Sequence, residues 1–152
     1  MRKALLLFAV LGLAGSLWAA DPIIGTWKLN VAKSDMSAIA PGLPPPKQET
    51  VVYREVGDNL IEMSDGLLTS NKWTWPRQGG IAKREPPLPE QMLYIETLVE
   101  PGHWFATILR NGKQTNFYKK TIDKDRKTMR QTFNGVDSQG KPFERLFVYE
   151  KQ

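Results

Sequence analysis

From residue 21 onward the apolar side chains recur every second residue rather than every third or fourth. A segment with that pattern has one buried face only when it is extended, so the chain is predicted to fold as β-sheet. The stretch "IIGTWKLNV" sets the pattern. Ile23, Gly25, Trp27, Leu29 and Val31 fall on one side, and Thr26, Lys28 and Asn30 on the other. The first set is expected to be buried. Gly25, on that face, should let another part of the chain approach where a side chain would block it.

Further extended segments follow. "QETVVYREV" and "NLIEMS" are split by "GD", and "LLTSNKWTW" comes next. "MLYIETLVE" turns at "PG" into "HWFATILR", and "NG", the strongest two-residue hairpin cue, leads to "KQTNFYKKTI". The polar turns "DKDRK" and "DSQGK" bracket "TMRQTFNGV", and "PFERLFVYEK" ends the series. Two stretches interrupt the alternation. "AKSDMSAIAPGLPPPK" carries four prolines, which cannot join a ladder or a helix interior, and is read as a long loop with a helical turn near 34–39. "PRQGGIAKREPPLPEQ" combines glycines, prolines and charges and is read as a second irregular segment. About eight or nine sequential strands joined by local hairpins predict an all-β, antiparallel up-and-down β-barrel, favoured over a sandwich because no Greek-key crossing is needed.

Residues 1–20 are set apart from this domain. "MRK" is basic, "ALLLFAVLGLAGSL" is apolar but short for a membrane span, and "WAA" supplies small residues for cleavage. A signal peptide cut after Ala20, or after Ala19, is expected, with a retained N-terminal anchor as the alternative. Export to the periplasm or outside the cell follows. Residues 21–152 form the single predicted domain, and no segment in them is apolar enough to cross a membrane as a helix. Losing Arg2 and Lys3 from 21 basic residues leaves 19 against 16 acidic, so the net charge falls from +5 to +3. Charges of both signs are mixed along the chain, which argues against nucleic acid as partner. There is no cysteine, hence no disulfide, thiol nucleophile, thiolate metal site or lipidated cysteine.

The Gly-x-Trp of "GTWKLN" at the first strand resembles the signature of lipocalins and their calycin relatives. "DPIIGTWKLNVAKS" together with "GVDSQGKPFERLFVYEKQ" is similar to uncharacterised, exported, lipocalin-like bacterial proteins. The resemblance implies that Trp27 closes the base of the barrel, beside Gly25, and that a late arginine packs across its ring. Arg145 is the position for it, with Arg130 as a second candidate. Phe143, Arg145, Phe147 and Tyr149 share one parity of the last segment; the opposite register would put Leu146 and Val148 inside and Arg145 in solvent.

Side chains suited to catalysis are scarce. His103 is the sole histidine, beside a "PG" turn, and is read as a surface residue. Asp123 and Asp125 flank a turn and are expected to cap it. No cofactor or metal motif is visible. The aromatics say more. Trp73 and Trp75 share one face of one strand beside an irregular loop, where barrel mouths take ligands, while Trp104, Phe105, Phe117, Tyr118, Phe133 and Phe147 lie on later strands. Each of these is either core or ligand contact. Lys83 and Arg84 stand ready for an acidic head group or form a solvated loop. The leading expectation is a non-catalytic binding protein for a small apolar or amphipathic molecule. The alternatives are a protein-interaction module with a filled core that uses its proline-rich loop, and, less favoured, an enzyme on a calycin scaffold. Nothing in the sequence bears on oligomeric state.

Overall fold

The computed structural model describes residues 21–36, 49–65, 71–89, 91–136 and 139–152. The leader and the proline run 41–46 lie outside the described residues, as do residues 37–39 of the expected turn; its described half, 34–36, is not helical. Among the described residues there is no α-helix; eleven strands form one antiparallel sheet. They are β1 (Gly25–Leu29), β2 (Thr50–Val56), β3 (Leu60–Asp65), β4 (Lys72–Pro76), β5 (Gly79–Ile81), β6 (Lys83–Glu85), β7 (Met92–Glu100), β8 (His103–Arg110), β9 (Lys113–Ile122), β10 (Thr128–Val136) and β11 (Pro142–Lys151).

Strands β7 to β11 run as a meander, β11 pairs with β1, and β1 to β4 continue the meander on the other side. The sheet therefore curls into a nearly closed up-and-down barrel. Its turns use the residues their geometry demands. Asn111 and Gly112 both have positive φ, 52° and 72°, as a two-residue hairpin that matches strand twist requires.

Closure comes from the segment that sequence reading treats as a break. Residues 79–85 lie between β7 and β4 and serve both. Gly79, Gly80 and Ile81 pair with Thr97, Glu96 and Ile95 of β7, and the Ala82 N–H donates to Tyr94 O at 2.8 Å. The chain then shifts sides, and Lys83, Arg84 and Glu85 pair with Thr74, Trp73 and Lys72 of β4. This divided strand accounts for eleven strands where eight or nine are expected. Gly79 makes the close approach possible. At φ +98°, a Cβ on it would lie 2.6 Å from Glu96 O and 2.9 Å from Thr97 Cα.

The parity of β1 holds through Leu29. Ile23 and Trp27 are fully buried and Leu29 nearly so. Val31 departs from it: strand pairing ends at Leu29, and Val31–Lys33 form a 3-10 turn with Val31 43% exposed. The Asn30 side chain accepts from Lys33 N, so the turn is capped where the strand stops. The segment then follows β11, with Asn30 N–H donating to Val148 O and Asp35 bridging to Leu146. That cover explains why Val148 is buried on the outer side of β11.

Trp27 sits where β1 begins and β11 ends. Its Nε1 donates to Ile23 O at 2.7 Å, and the ring packs in one core with Ile23, Trp104, Ile122 and Met129. The cation over the ring is Lys151, 5.1 Å from the centroid, not Arg145 or Arg130. A Cβ on Gly25 would lie 2.6 Å from Lys151 Cε, so Gly25 makes room for the lysine stem that crosses to the indole. Lys151 Nζ also donates to Pro22 O at 3.3 Å. Burial holds this ammonium below the ordinary lysine range, and Arg126 adds to the shift. Arg130 points outward and pairs with Asp123. Arg145 lies four residues before Tyr149, toward the other end of the barrel.

Candidate functional site

Toward the end opposite Trp27 the inward-facing side chains do not meet, and a cavity of about 280 Å³ remains. Its wall is built by strand alternation. β2 supplies Val51 and Tyr53, β3 Met63, β4 Trp73 and Trp75, and β7 Tyr94. From the other half come Tyr118 and Lys120 of β9, Gln131 and Phe133 of β10, and Arg145, Phe147 and Tyr149 of β11; Glu49 lies just before β2. Eight of these residues are aromatic, so the lining is planar and polarisable rather than aliphatic.

Four of these rings form a chain around the wall. Trp73 meets Tyr94 at 4.9 Å, Tyr94 meets Tyr118 at 6.0 Å, and Tyr118 stacks on Phe133 at 4.3 Å. Phe133 then meets Phe143 edge-on at 5.4 Å. An arginine stands at each end of this chain. Arg84 lies 5.5 Å from the Trp73 centroid, with Nη2 donating to Asn71 Oδ1 at 2.6 Å. Arg145 lies 4.8 Å from Phe143 and 5.8 Å from Phe133. The Trp73–Tyr94 contact joins β4 to β7, the two strands that the divided strand separates.

Farther in, the polar core is an ion pair. Lys120 Nζ meets Glu96 Oε1, and both side chains are essentially fully buried. The Lys120 charge holds the carboxylate in place. Ala106, fully buried on the intervening β8 opposite Glu96, leaves room for the lysine to cross. Lys120 Nζ also lies 5.0 Å from the Trp75 ring and 5.7 Å from Tyr53, so its cation rests against aromatic faces. Burial pushes the Tyr118 hydroxyl up to about 12; the Arg145 charge pulls against that, and Glu96 and Glu49 add to it. Tyr94 is raised as well, by burial first and then by Glu96. Both phenols are therefore neutral hydrogen-bonding groups at ordinary pH.

The structure divides the residues singled out from sequence. Trp73, Trp75 and Phe133 line the cavity; Arg84 lies over the Trp73 ring but borders the outer groove rather than the cavity. Trp104 is buried in the core and is not part of the lining. Phe105 and Phe117 stack on each other at 5.5 Å on the outer face, because they share the parity opposite to Ala106 and Tyr118. Lys83 lies in an outer groove with Pro87, Leu88 and Met92. Arg145, expected over Trp27, is a cavity residue. Tyr118 and Phe147, named among the later aromatics, line the cavity, as does Tyr149 from the aromatic face of the last strand; Tyr53, Tyr94 and Lys120 were not singled out from sequence. Parity in "KQTNFYKKTI" links Tyr118 and Lys120 to Ile122, yet the neighbouring set with Phe117 alternates just as well.

His103 is half exposed and its Nδ1 meets Glu100 Oε1 at 2.5 Å, on a surface hairpin away from the cavity. Asp125 accepts from Lys127 N, Thr128 N and Thr128 Oγ1, capping its turn as expected. No group of metal-ligating side chains occurs among the described residues, and no described helix is long and apolar enough to cross a membrane. Comparison with known proteins brings no match, whether to a family model, a curated protein or a solved structure.

Proposed function

We propose that this chain is an exported, lipocalin-like binding protein that holds a small, largely aromatic, amphipathic molecule inside its barrel. One observation carries the reading: a cavity of about 280 Å³ whose lining is mostly aromatic but includes Lys120, Gln131 and Arg145. Ligand pockets combine an apolar wall with a few placed polar groups, and this volume lies near the lower end of their range of about 300–1,000 Å³. A flat ring system suits the space between Trp73, Tyr118 and Phe133 better than a long alkyl chain, since stacking on aromatic faces rewards planarity. The signal-like leader supports export, and Gly25–Trp27 at the start of the barrel supports the lipocalin-like affiliation.

The test is a titration of tryptophan fluorescence with aromatic and aliphatic ligands, beside native mass spectrometry of protein taken gently from its own cell envelope. Saturable quenching by planar aromatics, weakened about tenfold or more in Phe133→Ala through the loss of about 1.4 kcal/mol, is expected. Saturable binding of no member of a broad apolar set, with no co-purifying molecule, would overturn the reading. A filled interaction module is disfavoured by the same cavity, whose side chains would otherwise meet.

A further inference from the structure

We infer that Lys120 is a covalent capture site, forming an imine with aromatic aldehydes that enter the cavity. The inference rests on the binding reading above and adds a ligand class to it. Lys120 is 2% exposed and still lines the cavity, so its amine is shielded from bulk water and faces a space that a small molecule can use. Its charge partner is the carboxylate of Glu96, and its other neighbours are the faces of Trp75 and Tyr53. A buried lysine among aromatic rings is the setting in which protein amines condense with carbonyl compounds.

The charge balance favours this chemistry over simple displacement. Any reaction that removed the Lys120 cation would leave Glu96 as an unpaired buried carboxylate, which is costly. Imine formation replaces one cation by another at the same place. The ammonium first gives a proton to Glu96 within the pair. The free amine attacks the aldehyde carbon, the C–N bond forms as the C=O π bond breaks, and the oxygen takes the proton that the attacking nitrogen releases, giving a neutral carbinolamine. That intermediate expels its hydroxyl, which leaves as water with the proton held by Glu96. The product is a protonated imine beside an ionised Glu96, and one water is released. No oxidant, reductant or cofactor is needed. Tyr53, Trp75 and Tyr118 would flank the conjugated ring, and the apolar wall would limit hydrolysis by excluding water.

The experiment uses the whole chain with cinnamaldehyde and, as a control that cannot condense, cinnamyl alcohol. Binding of each is followed by tryptophan fluorescence. The aldehyde sample is then treated with sodium cyanoborohydride, which fixes an imine as a secondary amine, and the adduct is located by peptide mass mapping. The expected result is binding of both compounds, with the reduced adduct on Lys120 in about tenfold or more excess over any surface lysine at equimolar aldehyde, since a held carbonyl reacts at high effective concentration. Lys120→Arg keeps a cation beside Glu96 but cannot form the imine, and should lose the adduct at that position. Wild-type mapping locates the adduct independently, should this variant fold poorly. Binding of both compounds with adducts spread over surface lysines would overturn the imine and leave the cavity reading standing. Binding of neither would overturn both.

Discussion

Gly79→Ala tests whether the segment between β4 and β7 closes the barrel or lies loosely over it. For a glycine in a loop the substitution is often mildly stabilising, by about 0.4–1 kcal/mol, because it restricts the unfolded chain. The structure reverses that sign. Two costs apply at Gly79. Its φ of +98° is a conformation L-residues avoid, at about 1–3 kcal/mol. Its new methyl group would also lie 2.6 Å from Glu96 O and 2.9 Å from Thr97 Cα, both backbone atoms that no rotamer can move aside. Relieving that overlap means lifting β5 off β7, comparable with overpacking at about 1–3 kcal/mol. Set against the unfolded-state gain, the net loss is about 1–5.5 kcal/mol, a large share of the about 5–15 kcal/mol of a typical domain. Gly112→Ala is the control. Gly112 also has positive φ, +72°, but nothing lies within 4 Å of the methyl position, so it reports the conformational cost alone. Urea unfolding followed by tryptophan fluorescence gives both values. Gly79→Ala should be the less stable by about 1–3 kcal/mol, the overpacking share. Equal stability of the two variants, or a gain at Gly79, would refute the closing-strand account.

Three further outcomes follow from the same geometry. Trp27→Ala should lose about 3–5 kcal/mol in thermal or urea unfolding, as buried aromatic truncations do, with ligand affinity per folded molecule unchanged; a coupled loss of affinity would place Trp27 in the binding site instead. Lys120→Met should cost about 3–5 kcal/mol by leaving Glu96 charged and alone, whereas Lys120→Met with Glu96→Leu should recover most of it; additive losses in the double variant would show that the pair is not coupled. For Tyr118 the folded-state value lies above the ordinary tyrosine value of 10, at about 12. Its contribution is therefore complete below pH 10 and is lost as pH rises through about 12, because the unfolded chain releases the proton first. Phenolate absorbance should show at least one tyrosine ionising late, and a Tyr118→Phe chain should keep more of its stability over that interval.

Much of the fold was written locally. Alternation of side chains, the Asn111–Gly112 turn and the Asp125 cap each depend on neighbours within a few residues, so the strands and hairpins of the meander could be read from the chain. The alternation that buried Trp27 also broke off at Asn30, whose capping side chain stops the strand in a way that period-two reading did not register. The divided strand was missed for the opposite reason. Residues 79–85 are rich in glycine and charge, and nothing local distinguishes them from a loop. Their pairing is set by edges of β4 and β7 that only exist once the barrel has curled.

The candidate site was legible in part. Trp73, Trp75 and Phe133 could be named because large aromatics on a strand face are rarely placed without use. Their neighbours Phe105 and Phe117 carried the same signal but stack outside, since a shift of one residue sends a side chain to the other face and sequence leaves that parity open where both faces are apolar. Lys151 takes the place expected of Arg145 for a similar reason: both share the inward parity of β11, and register against β1 decides which reaches Trp27. By itself the sequence determined an antiparallel barrel with a tryptophan near its start. The tertiary structure decided that two distant charges, Glu96 and Lys120, meet inside it. Burial makes that meeting consequential, because in a water-poor interior each charge requires the other, and their partnership spans strands that sequence order does not join.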